Sequence, residues 1–201
     1  MSIPGQVIDA MPVGNAGTKA IKIAGDADYR RVVNKSLEGD KDLSAEFKVA
    51  YDKANLYLDI TVTDDVHSQE FSGNELWRGD SVQAAFAAFE SCKPAPIAGT
   101  EYQLGLTKKG PEVVRESSQF KLTSPTTLKL DVKRAGTLTV YKITVPFSEI
   151  GVKNPKSGTP VGLSIVINDN DGKERDGYLH WGDGIGTGNK APEEYNWVIL
   201  R

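Results

Sequence analysis

"FKVAYDKANLYLDITVTDD", residues 47–65, decides the fold because it alternates along most of its length. Leu56, Leu58, Ile60 and Val62 point one way while Tyr57, Asp59, Thr61 and Thr63 point the other. That period of two describes a strand with one dry and one wet face. Phe47, Val49 and Tyr51 alternate in the same manner just upstream, and Asp52-Lys53-Ala54-Asn55 between the two runs supplies turn chemistry, so the pair reads as a hairpin.

The pattern continues outward. "SVQAAFAAF" (81–89) places Val82, Ala84, Phe86 and Ala88 on one face and Gln83, Ala85, Ala87 and Phe89 on the other, and its small residues imply close packing on both sides. "TEYQLGLT" (100–107) turns Tyr102, Leu104 and Leu106 inward and Glu101, Gln103 and Gly105 outward. "TLKLDVKRAGTLTVYKITVPF" (127–147) is two strands around Arg134-Ala135-Gly136-Thr137, ended at Pro146, which has no N–H for a ladder. "VGLSIVINDNDG" (161–172) and "YNWVILR" (195–201) supply two more. "PFSEIG" is a turn of helix at most. About ten strands without a helix of core length specify an all-β, antiparallel β-sandwich. Two Gly/Pro-rich stretches, "SCKPAPIAGT" (91–100) and "HWGDGIGTGNKAPEEY" (180–195), read as loops.

With 201 residues, 39% apolar and 25% charged, the chain suits one large domain. Residues 21–201 are expected to form it, with 1–20 an N-terminal extension or a strand leading in. The formal charge of −3, with Lys and Arg scattered, leaves no footprint for nucleic acid or an anionic membrane. No apolar run is long enough to span a bilayer. The single cysteine, Cys92, makes no internal disulfide, so the fold rests on its core and on any bound ions. "MSIPGQVIDAMPVG" has no basic region followed by an apolar core, and the expectation is one module of a longer chain.

Trp77 in "LWRGD" and Trp181 in "LHWGDG" both sit beside polar loop residues, whereas Trp197 in "YNWVIL" sits in a strand. Two readings stand for the first two: indole platforms for the C–H face of a sugar, or covers for the sandwich edge. Gln83 and Gln103 turn away from the apolar sets of their strands; an amide there suits a sugar diol, and equally an ordinary wet face. Asn168 and Asp169 open an acidic turn, "NDNDG", that either offers oxygen ligands to calcium or is an Asp-Gly turn, and its spacing fails the EF-hand pattern. Asp64 and Asp65 are likewise a calcium pair or solvated carboxylates.

Catalytic signals are poor. His67 and His180 are the only histidines, and neither HExxH nor GxSxG occurs. "GDGIGTG" follows no parallel strand and opens no helix, so it cradles no phosphate. The expectation is a protein that is not an enzyme.

Taken in order, "IAGDADY", "VAYDKANLYLDITVTDD", "LWRGDSVQAAF", "TEYQLGLT", "YKITVPFSEIG", "VGLSIVINDND", "LHWGDGIG" and "YNWVILR" resemble the family 9 carbohydrate-binding modules of xylanases and other secreted polysaccharide-degrading enzymes. The resemblance covers the chain from about Ile21. It implies a non-catalytic, extracellular sandwich that binds polysaccharide such as xylan or cellulose for an appended catalytic domain. It also implies a sugar clamped between two tryptophans, at Trp77 and Trp181; hydrogen bonds from Gln83, Gln103 and Asn168 are expected to supply selectivity. A family carboxylate falls at Gln83 and a family arginine at Gln103, so both departures remove a charge. Structural calcium is implied too, and Asp64, Asp65 and Asp169 are the candidate ligands that the sequence offers for it. Two rival readings are a structural or adhesion sandwich without a small ligand, and a haem-binding electron-transfer sandwich. The latter needs axial ligands from Met1, Met11, His67 or His180, and the sequence pairs none of them.

Overall fold

The computed structural model describes residues 5–33, 36–89, 96–116, 126–186 and 191–201. Met1, Cys92 and residues 91–95 of the first Gly/Pro-rich stretch lie outside them. The described residues form thirteen strands: β1 (Val7–Pro12), β2 (Ile21–Ala24), β3 (Tyr29–Arg31), β4 (Leu43–Tyr51), β5 (Asn55–Asp64), β6 (Ser81–Phe89), β7 (Pro96–Thr107), β8 (Gly110–Glu116), β9 (Lys129–Ala135), β10 (Leu138–Pro146), β11 (Pro160–Asp169), β12 (Gly177–Trp181) and β13 (Asn196–Leu200). Two short 3-10 turns, Gly73–Arg78 and Pro192–Glu194, are the helical elements among them. None is long and apolar enough to cross a membrane.

The order β8-β7-β6-β11-β13-β1-β4-β5-β10-β9 is hydrogen-bonded end to end, so two layers of a sandwich join through β1. β1 pairs in parallel with β13 through Val7–Ala10 and with β4 through Met11 and Pro12. The sandwich is therefore antiparallel except along this bridging strand. In the first layer β11 divides its partner: residues 160–163 pair with β13 and residues 165–169 with β12, whose far edge takes β3. In the second layer the hairpin read from residues 47–65 is present, with Phe47 opposite Ile60 and Val49 opposite Leu58.

Phe47, Leu56, Leu58, Ile60, Phe86, Leu104 and Ile165 are fully buried between the layers. The β6 reading of tight packing on both faces also holds. Ala84 and Phe86 face the main core, while Ala85 and Ala87 join Val166, Ile185 and Tyr195 in a second apolar cluster on the outer face. Ile185 and Tyr195, both from residues after β12, lie against that face.

Two loop assignments are corrected. Residues 96–100 belong to β7, not to a loop, and His180 and Trp181 belong to β12. The stretch 177–181 is short and ends in glycine, so its alternation is brief, yet Leu179 and Trp181 are in phase and both buried.

Candidate functional site

Trp77 stands at one end of the outer face of the β7–β6–β11–β12 layer and is 36% exposed, the one aromatic among the exposed large apolar residues of the described chain. Its mount is rigid. Leu76, one residue earlier, is fully buried against Gly105 of β7, where a Cβ would come 2.9 Å from Leu76 Cδ1. Gln69 Nε2 donates to both Leu76 O and Asp80 O at 3.0 Å, and Gln69 Oε1 accepts from Phe71 N. The main-chain N–H of Trp77 donates to Gln103 Oε1 at 2.9 Å. Side chains thus satisfy backbone groups of the short 3-10 turn Gly73–Arg78 and its flanks.

Gln103, Gln83 and Asn168 face outward from three neighbouring strands, and the structure brings all three together. Gln103 Nε2 donates to Glu116 Oε1 at 2.6 Å, Gln83 Nε2 to the same oxygen at 3.4 Å, and Asn168 Nδ2 to Ser81 Oγ at 3.0 Å and Gln83 Oε1 at 3.4 Å. The result is a chain of hydrogen bonds from Asn168 to Glu116 and on to Trp77. All three amides are buried, and Asn168 Oδ1 makes no hydrogen bond among the described residues. Glu116, half-buried at the end of β8, was not foreseen; its signal is the outward alternation of Glu112, Val114 and Glu116 opposite Gly105, Gln103 and Glu101.

Beyond Trp77 the face carries Arg175 and Tyr178, also unforeseen. The Arg175 guanidinium carbon lies 5.2 Å from the Trp77 ring centroid and 4.4 Å from that of Tyr178. Burial pushes its pKa below the ordinary arginine value. No feature of the sequence places Arg175 here, because the approach to Trp77 depends on β12 folding back along β11.

Trp181 is not in this site. It is 5% exposed and belongs to the core between the layers, where its ring meets Phe47 edge-on at 5.0 Å. Its Nε1–H donates to Gln6 Oε1 at 2.9 Å, which satisfies the one polar atom of a buried indole. The reading of Trp77 and Trp181 as a two-indole clamp is therefore corrected: period two puts Trp181 on the inner face with Leu179, opposite Ile165, while Trp77 stands outside. His180, on the outer face, holds Gly182 O at 3.1 Å and faces Asp183.

A separate acidic centre lies where β5 and β11 end. Ligand oxygens of Asp64, Asp169 and Asp171 fall within 4.8 Å of one another, as do those of Asp42, Asp65 and Asp171, so Asp171 is common to both groups. The three aspartates named from sequence are all here; Asp42 and Asp171 complete them. An all-oxygen, carboxylate-rich donor set of this spread fits a hard cation such as calcium, whose ligands stand about 2.3–2.6 Å from the ion. Burial, with Asp80 nearby, raises the Asp64 carboxyl to about 7, although Arg134 Nη1 pairs with it at 3.1 Å. Carboxylates gathered this closely repel one another, and a divalent ion would relieve that.

A family model described as carbohydrate family 9 binding domain-like matches residues 22–201. The fold is similar to a family 9 carbohydrate-binding module from Caldicellulosiruptor kristjanssonii solved with cellotriose: the TM-score is 0.69 at 14% identity, covering 98% of this chain and 94% of that one. The glucose complex of such a module from the same organism gives 0.69 and 14%, covering 98% and 96%. A third structure, from Bacteroides uniformis ATCC 8492, gives 0.58 and 13%, covering 98% and 100%. At these identities the likeness is one of fold. Comparison with curated proteins returned no match.

Proposed function

The chain belongs to the carbohydrate family 9 binding domain-like family, and from that premise we propose that it is a non-catalytic module that holds a sugar against the exposed face of Trp77. The carrying observation is an indole that is exposed yet pinned, its main-chain N–H held by the Gln103 amide. Such a surface takes the C–H face of a pyranose while the rim groups read its hydroxyls. Glu116 accepts from sugar hydroxyls, and the buried amides of Gln83 and Gln103 hold that carboxylate in place. One-sided stacking adds about 0.5–1.5 kcal/mol beyond area burial, so a single sugar binds with a Kd of roughly micromolar to millimolar.

In this reading binding brings an appended polysaccharide-degrading domain to xylan or cellulose outside the cell. The cellotriose and glucose complexes of the similar module make cello-oligosaccharides the first ligands to try. Calcium at the Asp42, Asp64, Asp65, Asp169 and Asp171 centre would tie the ends of β5 and β11 to the loop before β4. The test is calorimetry with cello- and xylo-oligosaccharides. Trp77→Ala is expected to weaken binding by at least about tenfold, as loss of a stacking anchor does. Unchanged affinity in that variant removes Trp77 from the account.

A further inference from the structure

Arg175 is only 6% exposed, yet its one hydrogen bond among the described residues is a long one, from Nη2 to Gly186 O at 3.3 Å. Its Nε is buried without a partner, and no carboxylate among the described residues pairs with the guanidinium. Arg115 and Arg134, the other well-buried arginines, each have an acidic partner, Glu149 at 3.4 Å and Asp64 at 3.1 Å. Contacts with the Trp77 and Tyr178 rings do not close the gap: an exposed cation–π contact is worth about 0.5–1 kcal/mol and a desolvated one about 2, whereas withdrawing an ion from water costs several. Among the described residues, a buried fork of donors is left wanting acceptors beside the ring that the sugar rests on.

We propose that Arg175 is the carboxylate-reading group of the sugar site, so that the protein selects a uronic acid, whose C6 is a carboxylate, over the corresponding neutral sugar. This rests on the sugar-binding reading of Trp77 and goes beyond it by naming the sugar's charge. A planar carboxylate matches the guanidinium fork, and the pair forms charge-assisted hydrogen bonds that a hydroxymethyl group does not. The site has a polarity to match. Glu116, at the far end of the amide chain, accepts from the ring hydroxyls of a uronate, while Arg175 meets its acid group; Trp77 joins the two ends, with its N–H on Gln103 and its ring on Arg175.

Calorimetry on the whole chain compares methyl glucuronide and methyl galacturonide with the matching neutral glycosides and with the C6 methyl esters of the acids. The expected result is that an acid binds about ten- to hundredfold more tightly than its neutral counterpart and its ester, the range for hydrogen bonds to charged groups. Arg175→Gln is expected to bring acid binding down to the level of the neutral sugar. Equal binding of acid and ester by the wild type overturns the inference without recourse to any variant, as does an acid preference that survives in Arg175→Gln. Inorganic sulfate that competes as strongly as the uronates also overturns it, because the site would then be a general anion hole. Neutral sugars bound as tightly as acids defeat this inference alone, whereas binding that ignores Trp77→Ala defeats the sugar site itself.

Discussion

The two faces of the β7–β6–β11–β12 layer use the same residue types to opposite ends. On the inner face Trp181 is enclosed, its ring on Phe47 and its N–H on Gln6. At the rim of that face Glu149 is equally well provided for. It accepts from Tyr102 Oη at 2.8 Å, Thr126 Oγ1 at 2.7 Å, Thr127 Oγ1 at 2.6 Å and Thr127 N at 3.1 Å, and pairs with Arg115 at 3.4 Å. On the outer face the indole of Trp77 is open and the charge of Arg175 lacks an acidic partner among the described residues. An aromatic and a charge whose needs are met within the protein hold the fold together, whereas the aromatic and the charge left open among the described residues are the pair we propose for a ligand.

The largest effect expected of this contrast is on the inner face. Trp181→Ala should destabilise the protein by about 3–5 kcal/mol, the cost of a cavity where a large core ring stood. For a domain of this size that lowers the melting temperature by roughly 2–4 °C per kcal/mol, measurable by calorimetry. A loss under about 1 kcal/mol would return Trp181 to the surface and break the comparison. Next comes Glu149. Burial alone would raise its pKa, but the hydrogen bonds from Thr127, Thr126 and Tyr102 outweigh that and hold it at about 2, against an ordinary 4.5. The stability this confers is fully present above pH 4.5 and disappears as pH falls toward 2. Glu149→Gln should therefore be less stable than the wild type by on the order of 3 kcal/mol at neutral pH, with the gap closing in acid; urea melts across that range decide it. A constant gap would mean that packing, not ionisation, is what Glu149 supplies.

The acidic centre belongs to neither face, and its effect is comparable or smaller. Calcium at a hundred times its Kd should add about 2.7 kcal/mol. A chelator should reverse the gain, and Asp171→Asn, which touches both carboxylate groups, should abolish most of it. The smallest stability effect is on the outer face: Trp77→Ala should change unfolding free energy by less than about 1 kcal/mol, in the range of surface substitutions. It should nevertheless remove most of the sugar affinity, so that stability and binding part company at Trp77 and not at Trp181.

Much of the sandwich was legible from alternation. The β4–β5 and β9–β10 hairpins, β6, β11 and β13 follow from period two and turn residues, which are local properties. β2, β3 and β8 escaped because they are short or carry charges on both faces, and β12 because five residues give little periodicity. Gln83, Gln103 and Asn168 were readable as outward-facing, and they do meet. That Gln103 clasps the backbone of Trp77, and that both glutamines converge on Glu116, depends on which strands become neighbours.

The sequence by itself determined a β-rich chain with defined hairpins, the set of side chains on each strand face, and an acidic segment rich enough in oxygen donors to gather a cation. Only the tertiary structure decided which face of β6 and of β11 meets the main core, and that Trp181 is enclosed while Trp77 is open. The reason is that β6 and β11 are packed on both sides, so alternation separates two faces without saying which one water reaches. The same holds for Arg175, which stands against Trp77 across a separation in sequence that no local pattern spans, because strand pairing and not chain order sets the distance.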